Sequence, residues 1–164
     1  TDARVANDEP VSPAFLFALL LWPAFCRTLM GLQAQGVQPE DAQRRAADRV
    51  TLHQLERVAL PRRFSLPMQE IWLLQTRFSS RQRKRVFRTL SHPRFRAAFD
   101  FLVLRQFASV DHAADVEFWR EAQKSSGQEL VDVIESAQVD QQGDEGAPRK
   151  RRRRRRRADA PAGE

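Results

Sequence analysis

A chain of 164 residues with 41% hydrophobic content has room for one packed domain and is too apolar to be unfolded throughout. Its single cysteine, Cys26, excludes an internal disulfide framework and a cysteine-based metal site, and suits a reducing, cytoplasmic setting. The net charge of +7 hides a division by segment: residues 61–107 carry +9 and 149–164 carry +7, against −1 for 1–60 and −8 for 108–148.

In chain order, Ser12 followed by Pro13 reads as a helix start, with a hydroxyl to cap free N–H groups and a proline where no intrahelical N–H is needed. The run "PAFLFALLLWPAFC" covers 14 residues and contains Pro23. That is short of the roughly 20 residues of a membrane span. Asp8 and Glu9 precede it where a signal peptide would be basic, so a buried core helix is expected and no membrane partner. Pro23 predicts a kink or break, with helix continuing to about Gln35 and ending at Gly36.

Pro39, with Glu40 and Asp41 in the first turn, starts the next helix; Val50, Leu52, Leu55, Val58 and Ala59 are expected as its apolar face, and Pro61 as its end. Ser65 and Pro67 predict a shorter helix with Ile71, Trp72, Leu74 and Gln75, reaching about Phe78. Ser79 or Ser80 is the expected cap of another, containing Val86, Phe87 and Leu90. "SHP" separates it from a helix in which Phe95, Ala98, Phe99, Leu102 and Val103 recur at three- and four-residue steps. Asp111 predicts the start of an amphipathic helix with Val116, Trp119 and Ala122, and a weak helix follows over 125–137. No segment alternates with period two, so the expected fold is all-α, an irregular bundle of five to seven short helices. Beyond Asp140 almost nothing can be buried, which predicts a disordered Arg-rich tail.

Motifs for catalysis are missing from the string: it has no glycine-rich phosphate loop, no metalloprotease histidine pair and no nucleophile elbow. His53, His92 and His112 read as structural, and Asp111, Asp115, Glu117 and Glu121 as the solvated side of one helix. Catalytic, cofactor and metal residues are therefore expected to be none. The basic positions are more telling. On one helix through 77–90, Arg77, Arg81, Lys84, Arg85 and Arg88 would share a stripe. Arg62 and Arg63 lie before it; Arg94 and Arg96 lie after it at a helix N-terminus, where cations oppose the helix dipole. Arginine suits phosphate through its planar fork of donors. The competing reading is a solvated face balanced by the acidic 108–148 segment. For the tail, nine consecutive basic residues including Arg151, Arg152, Arg153, Arg154, Arg155, Arg156 and Arg157 predict binding to a polyanion.

"LPRRFSLPMQEIWLLQTRF", "RVFRTLSHPRFRAAFDFLVLR" and, upstream, "SPAFLFALLLW" together resemble the C-terminal part of bacterial poly(A) polymerase, of the class II nucleotidyltransferase superfamily that includes the tRNA CCA-adding enzymes. The resemblance spans roughly residues 10–105, with an Arg-rich end of a kind seen in that family. It implies a polynucleotide adenylyltransferase that adds adenylate from ATP to RNA 3′ ends, with Mg as divalent metal, marking RNA for decay. The Gly-Ser and Asp-x-Asp motifs of the family's catalytic head do not occur here, so the chain is expected to be inactive alone. The implied division is a linker from a missing head at 1–11, a helical RNA-binding body at 12–139 and a basic tail at 140–164. On this reading the partner is single-stranded RNA at its 3′ end, held by Arg62, Arg63, Arg77, Arg81, Lys84, Arg85, Arg88, Arg94, Arg96 and the tail. RNA-decay proteins are further expected partners, and the head is expected in the same longer polypeptide. Two alternatives stay open: a protein-interaction module whose basic helix meets an acidic partner of an RNA-decay assembly, and an enzyme completed by a separate head chain.

Overall fold

The computed structural model describes residues 12–108 and 112–145; the expected linker at 1–11, the helix start at Asp111 and residues 146–164 of the expected tail fall outside them, whereas 140–145, expected as disordered tail, are helical. Seven helices and no strand occur among the described residues: α1 Pro13–Ala34, α2 Pro39–Leu55, α3 Arg62–Gln75, α4 Arg83–Leu90, α5 Phe95–Ala108, α6 Ala113–Ala122 and α7 Gly127–Glu145. The all-α bundle expected from the sequence is the observed fold.

Of the kink or break expected at Pro23, a break does not occur: helix α1 continues through it. Phe15, Ala18, Phe25 and Leu32 form a buried stripe along it, and that packing holds the helix together across the missing N–H. Its full length and hydropathy are those of a membrane-spanning helix, but core helices meet the same measure. Here the Trp72 indole donates to the Ala18 carbonyl at 3.0 Å, and Phe25 stacks on Trp72 with ring centres 5.0 Å apart. Ser12 caps with its backbone carbonyl, which accepts from Phe15 and Leu16, and not with its hydroxyl. Gly36, at φ 80°, ends the helix as expected; the Val37 N–H reaches back to the Leu32 carbonyl and the Gly36 N–H to that of Gln33, satisfying otherwise free acceptors.

Of the expected apolar face of helix α2 only Val50 is buried, and the helix ends at Leu55, before Val58, Ala59 and the expected stop at Pro61. Ala42, Ala46, Ala47, Val50 and Thr51 are buried, while Leu52, Leu55 and Val58 are exposed. At about 100° per residue, Leu52 and Leu55 point away from the side that the small alanines turn inward. Helix α3 starts at Arg62, directly after Pro61, so Pro67 lies inside it and it ends at Gln75 before the expected limit. Helix α4 likewise starts at Arg83, later than the expected serine caps, with Gln82 at its N-cap. The apolar steps of α5 and α6 match expectation, with Phe95, Ala98, Phe99, Leu102, Val116, Trp119 and Ala122 buried. Helix α7 buries Leu130, Val131 and Ile134 and continues to Glu145, past the expected end at 137.

Two aromatic groups organise the core. Trp22, Phe25, Phe101, Phe15 and Trp72 join α1, α3 and α5. Phe78, Phe95, Phe99, Phe118 and Trp119 join the turn after α3 to α5 and α6. That second group fixes the turn from which the basic helix α4 departs.

Candidate nucleic-acid interface

The segment between α3 and α4 is held from inside by its own backbone acceptors. The Phe78 carbonyl accepts from the Trp119 indole at 2.7 Å and from Arg81 Nη1 at 2.6 Å. Gln138 of α7 donates to the Arg81 carbonyl at 2.7 Å. Arg81 Nη2 lies 2.5 Å from Asp115 Oδ1, and its guanidinium sits 4.1 Å over the Phe118 ring. Arg81 is only 5% exposed, so it is not part of the expected surface stripe. The single helix through 77–90 does not form: α3 ends at Gln75, and turns and extended residues precede α4.

The break in the helix gathers charge in another way. Arg77 from the turn, Arg85 and Arg88 from α4, and Arg44 from α2 line one cleft of about 340 Å³. None of these four arginines makes an ion pair among the described residues. Glu40 is the acidic lining residue, so cations predominate four to one. Uncharged polar groups complete the wall: the Thr76 hydroxyl lies 3.1 Å from Gln43 Oε1, and Thr89 lies in α4. Four arginines lining one cleft without ion-pair partners leave it with an excess of positive charge and free guanidinium donors, the chemistry that suits an anion.

The other predicted residues are placed elsewhere. Lys84 is exposed on α4 but does not line the cleft. Arg62 and Arg63 are at the far end of α3, about 20 Å along a 14-residue helix; Arg63 stacks 4.8 Å over the Phe64 ring. Arg94 pairs with Glu70 at 3.2 Å, and Arg96 with Asp100 at 3.4 Å. Those carboxylates answer the unfavourable placement of cations at a helix start, and such exposed pairs are individually weak. Arg151 to Arg157 lie outside the described residues. Arg44, Gln43, Thr76 and Thr89 were not anticipated. Arg44 follows Glu40 by four residues, the spacing of an ordinary pair on a helix surface, so its sequence context gave no signal of a site.

The histidines occupy separate contacts. His53 faces Glu56 at 3.5 Å, and His112 Nε2 lies 2.7 Å from Arg105 Nη2. His92 Nδ1 accepts from the Arg94 N–H at 3.1 Å. Burial pushes the His92 pKa down, Glu70 opposes this, and Arg77 and Arg94 add to it. Among the described residues no three His, Cys, Asp or Glu side chains gather to hold a metal ion. Glu70 and Asp115 are engaged by Arg94 and Arg81.

Residues 35–158 match the family model described as polymerase A arginine-rich C-terminus. The chain is 40% identical over 131 residues to poly(A) polymerase I of Escherichia coli O6:H1, covering 77% of this chain and 28% of that protein. It is 35% identical over 156 residues to poly(A) polymerase I of Salmonella typhi, covering 92% and 32%. With poly(A) polymerase I of Haemophilus influenzae it shares 33% identity over 142 residues, covering 84% and 31%. The chain thus spans about a third or less of the length of these relatives. A helical body with a cluster of unpaired arginines, matched over most of its length, belongs to the arginine-rich C-terminal region of the bacterial poly(A) polymerases.

Proposed function

We propose that this chain is the RNA-holding part of a poly(A) polymerase, gripping the sugar-phosphate backbone of single-stranded RNA near its 3′ end while adenylate is added from ATP elsewhere in the enzyme. The observation that carries this reading is the cleft lined by Arg44, Arg77, Arg85 and Arg88, none of them in an ion pair among the described residues, with Glu40 as its one acidic lining residue. Phosphate contacts supply affinity and position without choosing a sequence, which suits an enzyme acting on many RNAs. The tail arginines would give a second attachment that raises the effective concentration of RNA at the cleft. Decay-marking, RNA-decay partners and a cytoplasmic setting accompany this reading as the family's expected biology.

The test is competition. Fluorescent oligo(A) bound to the full chain is challenged with unlabelled single-stranded RNA or with a Glu-rich peptide of equal charge, and the measurement is repeated after Arg44, Arg85 and Arg88 are changed to Gln. The proposal expects RNA to displace the probe at far lower concentration than the peptide, with the Gln variant weakened. Stronger displacement by the peptide would favour a protein-interaction module.

A further inference from the structure

Thr89, a lining residue of the basic cleft, has a buried hydroxyl with no partner. Thr89 is 1% exposed and its Oγ1 makes no hydrogen bond. Other helical threonines bond to the carbonyl four residues back: Thr51 to Ala47 at 2.8 Å and Thr28 to Ala24 at 2.9 Å. Thr51 is nearly as buried as Thr89, so burial alone does not deprive a helical threonine of this bond. A buried donor left unmade is costly, and such groups are rare in native folds.

Thr89 shares its cleft with Arg44, Arg77, Arg85 and Arg88. Arg85 is one helical turn before Thr89, and Arg88 is adjacent; both side chains are exposed. The hydroxyl is shut off from solvent in the structure, so seating an anion on it requires side chains of the cleft to swing aside as the anion enters. A phosphate oxygen accepts hydrogen bonds from a hydroxyl and from guanidinium forks together, which matches this set of donors.

We propose that the cleft between α2, the α3–α4 turn and α4 seats one backbone phosphodiester of RNA, with the Thr89 hydroxyl as a donor at its base. This deepens, and rests on, the reading of the chain as an RNA-holding body. It assigns one uncharged residue a role that net charge alone would not give it.

The test uses the full chain with Thr89→Val and Thr89→Ser, oligo(A) binding across a salt series, and thermal unfolding without RNA. Valine keeps the shape and removes the hydroxyl. The expected result is a five- to twentyfold loss of oligo(A) affinity for Thr89→Val, with an unchanged salt slope because no cation is lost. Its midpoint without RNA should equal or exceed that of the parent, since an unpartnered donor has been removed. Thr89→Ser should bind within twofold of the parent. Parental affinity in Thr89→Val, or equal losses in both variants, would overturn the seat. So would inorganic phosphate stabilising the parent chain but not Thr89→Val while oligo(A) affinity stays the same in both, which would assign the cleft to a free anion. If Thr89→Val binds normally while the Arg44, Arg85 and Arg88 variant loses RNA, the seat fails and the RNA-holding reading stands. If neither variant loses affinity, both fail.

Discussion

Arg81 of the α3–α4 link and Asp115 of α6 lie 34 positions apart in sequence and meet at 2.5 Å, with Arg81 almost wholly buried. This pair, with the Phe78 carbonyl and the Phe118 ring, ties the start of the basic helix to the back of the bundle. Arg81→Gln leaves Asp115 without its partner, and Asp115→Asn leaves a buried guanidinium. Each is expected to lower stability by about 3 kcal/mol in urea denaturation. Well below its unfolding midpoint, Arg81→Gln should still bind oligo(A) within about threefold of the parent, since it acts through the fold.

The Trp119 indole shares the Phe78 carbonyl with Arg81. Trp119→Phe removes one buried donor and some ring volume, so a loss of about 2 kcal/mol is expected from denaturant unfolding. Trp119→His or Trp119→Ala should cost more, because more of the aromatic group around Phe95 and Phe118 is lost.

Local pattern made some of this visible. The apolar steps of α5 and α6 and the Gly36 stop follow from spacing and backbone chemistry within a few residues of each other. Arg81 was misplaced because 77, 81, 85 and 88 are helical neighbours only if the helix is continuous. What interrupts it is a set of contacts to Asp115, Trp119 and Gln138, all more than 30 positions away. Arg44 escaped notice for the same reason: residues of α2 and α4 come to line one cleft only in the folded chain. Leu52 and Leu55 read as core by hydrophobicity, but Ala42, Ala46 and Ala47 allow the closer helix approach and take the inner face.

Gly36 has a positive φ, and a Cβ there would meet nothing within 4 Å. Gly36→Ala therefore meets only a backbone penalty, expected at about 1 kcal/mol. Thermal unfolding of Gly36→Ala against Gly36→Asn checks this; asparagine, which tolerates the left-handed region better, should lie between alanine and glycine.

His92 has its pKa lowered in the folded chain, mainly by burial, so the folded state takes up its proton less readily than the unfolded state. Stability from this group is then full above the unfolded value of about 6.5 and is lost as pH falls below it. Comparing urea midpoints at about pH 7.5 and about pH 5.5, with carboxylate effects subtracted through His92→Asn, should show a steeper acid loss in the parent. Equal pH dependence in the two would contradict this assignment.

On the proposed function, the folded cleft holds RNA independently of the tail. The most direct test is oligo(A) binding by a chain with Arg151 to Arg157 changed to Ser, compared with the same chain also carrying Arg44, Arg85 and Arg88→Gln, across a salt series. The tail variant is expected still to bind, and the added Gln changes are expected to lower the log–log salt slope by about 2, from roughly 0.7 per single-strand phosphate contact, with at least a tenfold loss of affinity at low salt. Equal affinity and slope in the two chains would contradict it, as would the loss of all binding with the tail alone.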